Sequence, residues 1–103
     1  MIRKIRRTKQ ARQDLISIYN YISRRSPAAA DRVFDAIETT IRGLGWFPGT
    51  GTAWESDEPE LQGLRYTPVS GYRNYLIFFR VVGRFVEVYR ILHGAQDLRK
   101  LIG

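Results

Sequence analysis

The chain contains no cysteine and a single histidine, His93. The first absence excludes disulfides and thiolate chemistry, and the second leaves too few ligands for a zinc site, so neither a metal nor another cofactor is expected. Acidic residues are also scarce: 10 stand against 17 lysines and arginines, a formal charge of +7. A small domain with that surplus attracts polyanions, either nucleic acid or an acidic protein segment, although a charge of about 2 to 8 also serves solubility alone. No apolar run approaches the roughly 18 residues of a membrane span. The basic start, Met1 to Arg7, is not followed by the apolar stretch of a secretory signal. No membrane partner is therefore expected, and the cytoplasm is the expected location. Internal repeats and low-complexity segments are missing as well, and 103 residues make one domain, residues 1–103, with one core.

What is present reads as an α+β domain. Ile2 to Arg7 has the loose alternation of a short edge strand, whose basic side chains discourage edge-to-edge pairing. Thr8 is a suitable N-cap, and Ala11, Leu15, Ile18, Tyr19 and Ile22 recur on one face of a helix over about Lys9 to Arg25. Ser26-Pro27 is a second start signal. The helix it opens carries Ala30, Val33, Phe34, Ile37, Ile41 and Leu44 on one stripe, with Gly45 placed to cap its C-terminus. The short connection makes the two helices an antiparallel hairpin. Trp46 to Glu60 is irregular, with Trp46 and Phe47 expected to close the end of the core. Leu64–Val69 and Phe85–Leu92 read as strands, the latter joined to its predecessor through Gly83-Arg84. Leu98–Ile102 reads as a last helical turn or an extra edge strand.

The stretch Ser70 to Val82 dominates this pattern. From Leu76 to Val82 only Arg80 interrupts the apolar side chains, so both faces of this strand call for cover, and it belongs at the centre of a sheet. The helical hairpin packs on one face of a twisted, mainly antiparallel sheet of three to four strands. The other face has little chain left to cover it. An unshielded, cation-rimmed sheet surface that another protein must occupy is the expectation that follows.

The residues also carry a resemblance. Asp14-Leu15 with Ile18 and Tyr21-Ile22, then Pro48-Gly49 with Gly51, Leu64-Arg65, the block Tyr72 to Arg80, and Arg90-Ile91-Leu92-His93-Gly94 with Asp97 follow one another as in the RelE/ParE superfamily of bacterial type II toxins. The last two blocks are most similar to the ParE branch. The resemblance implies two helices on a twisted antiparallel sheet. It also implies a cognate antitoxin, whose acidic, partly disordered C-terminal segment orders as it wraps the toxin into a hetero-oligomer. Further, it implies a target: DNA gyrase for ParE-like toxins, ribosome-bound mRNA for RelE-like ones.

The residues weigh toward a binding protein rather than an enzyme. The arginine that follows Gly-Tyr in RelE-like nucleases is present as Arg73. The lysines expected before the central strand are replaced by Gln62, Gly63 and Arg65, the basic residue expected after Gly94 by Ala95 and Gln96, and no tyrosine follows Tyr89. Arginine holds a phosphate but is a poor general base. His93 alone titrates near neutrality, and a structural bond to a carboxylate such as Asp97 accounts for it as well. A RelE-type mechanism would rest on Arg65, Arg73 and His93; no catalytic residue is expected otherwise. Arg65, Tyr72, Arg73, Tyr75, Arg80, Arg90 and His93 are the candidates for contact with antitoxin or target. Arg73 and Arg80 should point to opposite faces of a regular strand, and Arg90 either faces a groove or pairs with an acid such as Glu87 or Asp97.

Overall fold

Two hydroxyls start the two long helices. A computed structural model describes residues 2–103. In it, strand β1 (Lys4–Arg7) leads into helix α1 (Lys9–Ser23), where the Thr8 Oγ accepts the Ala11 N–H at 3.0 Å and donates to the Tyr89 carbonyl at 2.7 Å. One side chain thus caps the helix and fixes its first turn to the sheet. Ser26 caps helix α2 (Pro27–Trp46) through the Ala29 N–H, with Pro27 in the first turn. Gly45 is not the cap: α2 continues to Trp46 and Phe47 follows it with a negative φ. The glycine is required because the β1 lead-in crosses the helix there, and a Cβ on Gly45 would lie 2.8 Å from the Arg3 carbonyl.

The remaining elements are β2 (Thr52–Ala53), a single 3-10 turn (Pro59–Leu61), β3 (Arg65–Val69), β4 (Tyr72–Val82), β5 (Phe85–His93) and a short helix α3 (Leu98–Ile102). They form a five-stranded sheet in the order β1-β5-β4-β3-β2, one or two strands wider than expected because the brief β2 pairs with β3 and β1 joins β5. β4 is the middle strand. All pairings are antiparallel except β1–β5, which is parallel. Gly83, at φ 58°, makes the two-residue turn between β4 and β5 that the sequence indicates.

A bulge decides which side chains of β5 face the helices. Phe78 pairs with Arg90 and Phe79 with Val88, so Tyr89 is the extra residue. Val86, Val88 and Ile91 therefore all reach the helix-side core although an odd number separates the last two. That core also takes Ala11, Leu15, Val33, Ile37, Ile41, Leu44, Val69, Ile77 and Phe79.

The second sheet face is not left open at its centre. Phe78 on β4 is fully buried in a separate cluster with Leu61, Leu64, Leu92 and Ile102, flanked by Trp54, Tyr66, Leu76, Tyr89 and Leu98. The segment after β2 and helix α3 supply this cover. Trp54 seats edge-on against Phe78 (5.4 Å between ring centres), donates to the Gly103 carbonyl at 3.1 Å, and lies under the Arg99 guanidinium at 4.2 Å. Irregular chain, rather than a partner, shields the surface that a scan for regular elements leaves bare. Trp46 and Phe47 are displaced from the closing role given to them and are 62% and 68% exposed.

On the helix side, Arg7 forms a two-pronged pair with Glu38 of α2, one contact at 2.8 Å. This hydrogen bond, foremost, holds the Glu38 carboxyl below the ordinary glutamate value of 4.5. A depressed folded-state pKa means the unfolded chain binds more protons, so stability rises with pH across the window. The contribution is complete above 4.5 and is lost as pH falls through the folded value. Melting temperatures measured from pH 7 downward should fall more steeply for the wild type than for Glu38→Gln below that point, with the two curves converging in acid.

Candidate functional site

Most of the candidate arginines are committed to the fold. Arg65 donates from Nε to the Thr50 carbonyl (3.1 Å) and from Nη2 to the carbonyls of Gly49 (3.2 Å) and Gly51 (2.8 Å), clamping the turn that leads into β2. That turn depends on Gly51, whose φ is 90° and whose missing Cβ would lie 2.6 Å from the Tyr66 carbonyl. Gly51→Ala combines left-handed strain with a backbone clash, and should destabilise the fold by about 1–3 kcal/mol, measured by urea unfolding. Arg80 pairs across the strands with Glu87 at 3.2 Å and donates to the Glu60 carbonyl, anchoring the covering segment. Arg90 donates from Nε and Nη2 to the two carboxylate oxygens of Asp14 at 2.8 and 3.0 Å. Its partner is therefore neither Glu87 nor Asp97, because the bulge turns it toward the edge of β5 where α1 passes. The hydrogen bond to Asp14, above all, raises the Arg90 guanidinium beyond its ordinary range.

Arg73 is the exception. It is exposed at the start of β4 and makes no hydrogen bond or ion pair among the described residues. It stands seven residues from Arg80, about 23 Å along an extended strand, so the two cannot serve one groove. Nearby, Tyr75 pairs in register with His93, their rings edge-to-face at 5.1 Å. Together with Ser17, Ile18, Tyr21 and Gln96 they line a groove of about 430 Å³ between α1 and the end of the sheet. Burial, chiefly, raises the Tyr75 phenol, with the neighbouring Tyr21 adding to it, so it stays protonated at neutral pH and is no base. Tyr72 is half-buried and packs against the helix-side core.

His93 is held by its own turn. Its Nδ1 accepts the Ala95 N–H at 3.0 Å, and its backbone N–H donates to the Gln96 side chain at 2.8 Å. Asp97, the expected partner, instead caps α3 by accepting the Lys100 N–H. The Ala95 contact places the ring proton on Nε2. Of Arg65, Arg73 and His93, on which a RelE-type mechanism would rest, Arg65 is engaged by loop carbonyls, and Arg73 and the His93 Nε2 are the groups without a hydrogen-bond partner among the described residues.

A second groove lies on the helical hairpin. Leu15, Ile16, Tyr19 and Asn20 of α1 and Asp31 and Phe34 of α2 enclose about 480 Å³ of mostly apolar surface. Ile16 is 53% exposed and Tyr21, beside the other groove, 70%. Phe34, expected in the core, is 37% exposed and meets the edge of Tyr19, whose hydroxyl donates to Asp31 at 2.6 Å. Sequence reasoning did not single out Ile16 or Tyr21 as contact residues. The available signal was their apolar or aromatic character off the Ala11–Leu15–Ile18–Ile22 stripe.

Comparison with known proteins places this arrangement. The family model for the ParE toxin of type II toxin–antitoxin systems (parDE) matches residues 5–98. The chain belongs to that family. Two solved structures share the ParE fold seen here. A chain of the chromosomal ParDE toxin–antitoxin system from P. aeruginosa superposes with a TM-score of 0.71 at 24% identity, covering 89% of this chain and 96% of that one. The YoeB/ParE toxin from Agrobacterium tumefaciens superposes with a TM-score of 0.55 at 18% identity, covering 87% and 96%. No curated protein matches the sequence. The ParE match spans α1 through β5, and so includes both grooves. Among the described residues, no group of histidine and acidic side chains converges to hold a metal, and no helix is long and apolar enough to cross a membrane.

Proposed function

We propose that this ParE-family toxin acts by binding DNA gyrase and stalling its cleavage complex, and that a cognate antitoxin neutralises it by occupying the hairpin surface. The toxin is then a binding effector and not an enzyme. The observation that carries this reading is the engagement of the basic residues: Arg65 is spent on three loop carbonyls and Arg90 on Asp14, leaving Arg73 and one nitrogen of His93. Ribose-activated RNA cleavage needs a positioned base, an acid and a stabiliser of phosphorane charge, and that set is incomplete.

The antitoxin reading moves from the sheet to the helices. An amphipathic segment laid into the groove around Ile16, Tyr19 and Phe34 would bury exposed apolar surface of the kind that marks protein interfaces. Acidic residues in the same partner would meet the +7 charge of the toxin. Such a segment orders on binding, and the complex is a hetero-oligomer. Tyr75 and His93 line the groove between α1 and the end of the sheet, Arg73 is exposed on the same strand as Tyr75, and these three are the contact residues retained from the sequence.

Purified toxin added to gyrase should inhibit supercoiling and accumulate cleaved DNA, while translating ribosomes show no mRNA cleavage. Ile16→Asp, a change at an exposed position, should leave the gyrase effect intact and abolish its reversal by antitoxin. The nuclease alternative keeps one support: among the described residues the Nε2 of His93 and the Arg73 guanidinium have no hydrogen-bond partner. Ribosome-dependent cleavage lost in His93→Gln, without any gyrase effect, would establish that alternative. Normal growth on expression without antitoxin would leave only antitoxin binding.

A further inference from the structure

The end of the molecule opposite His93 has a different chemistry. Ile2, Arg3, Lys4, Gly83, Arg84 and Phe85 line a cleft of about 610 Å³ between the start of β1 and the β4–β5 turn. The strand register builds it. Lys4 pairs with Phe85 and Arg6 with Glu87, so Lys4 and Arg6 stand on one face about 7 Å apart, and the turn brings Arg84 alongside. Arg6 lies over the Phe85 ring at 4.7 Å. Among the described residues, no acidic side chain lines the cleft. Glu87, the acid on the next rung, is shared between Arg6 at 3.8 Å and Arg80 at 3.2 Å. Arg3, Lys4 and Arg84 have no ion-pair partner among the described residues. Gathering unpaired like charges at one end of a small domain is unfavourable until a counter-charge arrives.

We propose that this cleft is a phosphodiester-binding site that seats the toxin on duplex DNA. A duplex offers one charge per about 1.7 Å of its axis, so a short cationic strip meets several phosphates without needing a side-chain pocket. An acidic protein segment draws its affinity largely from apolar anchors, and among the described residues lining the cleft the aromatic ring is already covered by Arg6, leaving Ile2 as the exposed apolar side chain. The cleft also lies away from the hairpin grooves, so a protein partner can occupy those while DNA occupies this end. The inference goes beyond the gyrase reading. Where both hold, the toxin grips the DNA of the cleavage complex as well as the enzyme.

The test is fluorescence anisotropy of a labelled 20-base-pair duplex titrated with the full chain. With three phosphates neutralised, affinity should fall roughly 40-fold between 50 and 200 mM salt. The double variant K4E/R84E should lose binding, whereas R12E/R32E, with the same net charge but altered on the exposed helix surface, should keep it. Three results overturn the proposal: no binding at 50 mM salt, equal loss in both double variants, or displacement of the duplex by polyglutamate at equal charge concentration. The two readings fail separately. Gyrase inhibition without duplex binding removes only the DNA site, and duplex binding without gyrase inhibition removes only the gyrase target.

Discussion

Asp14→Ala should destabilise the protein by about 3–5 kcal/mol, the usual consequence of removing one partner of a buried ion pair. The Asp14 carboxylate is 9% exposed and accepts the two Arg90 contacts together with the Ile91 N–H at 2.9 Å. That N–H lies on the β5 edge beyond the last residue paired with β1, where α1 replaces a strand as the neighbour. Removing the carboxylate strands a guanidinium and a buried amide together, and each loses a partner that water reaches poorly. Asp14→Asn keeps an acceptor for the amide but loses the charge, and should cost about 1–3 kcal/mol. For a domain of this size each kcal/mol lowers the melting temperature by about 4–8 °C, so calorimetry separates the two variants. A double-mutant cycle with Arg90→Ala should give a large coupling. If Asp14→Ala instead melts within a degree of the wild type and binds antitoxin poorly, the pair belongs to the interface rather than the fold.

Phe78→Ala should cost a similar amount, about 3–5 kcal/mol, for a fully buried aromatic cut back to a methyl group. The value reports on the second sheet face. Phe78 is 0% exposed because Leu61, Leu64 and Ile102 close over it and Trp54 packs on its ring. Were that face open to solvent, the substitution would be nearly neutral. Trp54→Phe should give a smaller loss, since it removes the hydrogen bond to the Gly103 carbonyl and weakens the stack with Arg99 while keeping an aromatic ring. Urea unfolding followed by circular dichroism measures both. The residues that cover this face then serve stability, which is consistent with the proposed partner surfaces lying on the helices and at the ends of the sheet.

The fold was legible wherever local rules and periodicity agree. Thr8 and Ser26-Pro27 mark helix starts because a cap hydroxyl and a proline act within one turn. Gly83 marks a hairpin because the turn needs a positive φ. Gly45 misled for the complementary reason: glycine also serves close approach of another segment, and only the crossing of Arg3 tells the two uses apart. Phe34 sits at core spacing but falls at the flank of the stripe, where the hairpin turns it toward Tyr19. The acid that meets Arg90 was beyond reach because Asp14 lies 76 residues away and is brought there by a bulge no local pattern announces.

The sequence by itself determined the α+β class, the helical hairpin, the central position of β4, the excess of positive charge and the family resemblance. Each of these follows from near neighbours along the chain or from composition. The tertiary structure alone decided which arginines are free, which acids they meet, and where apolar surface remains exposed. Those depend on residues distant in sequence meeting in space, and above all on an irregular segment and a five-residue helix whose packing, not their periodicity, closes the second face of the sheet.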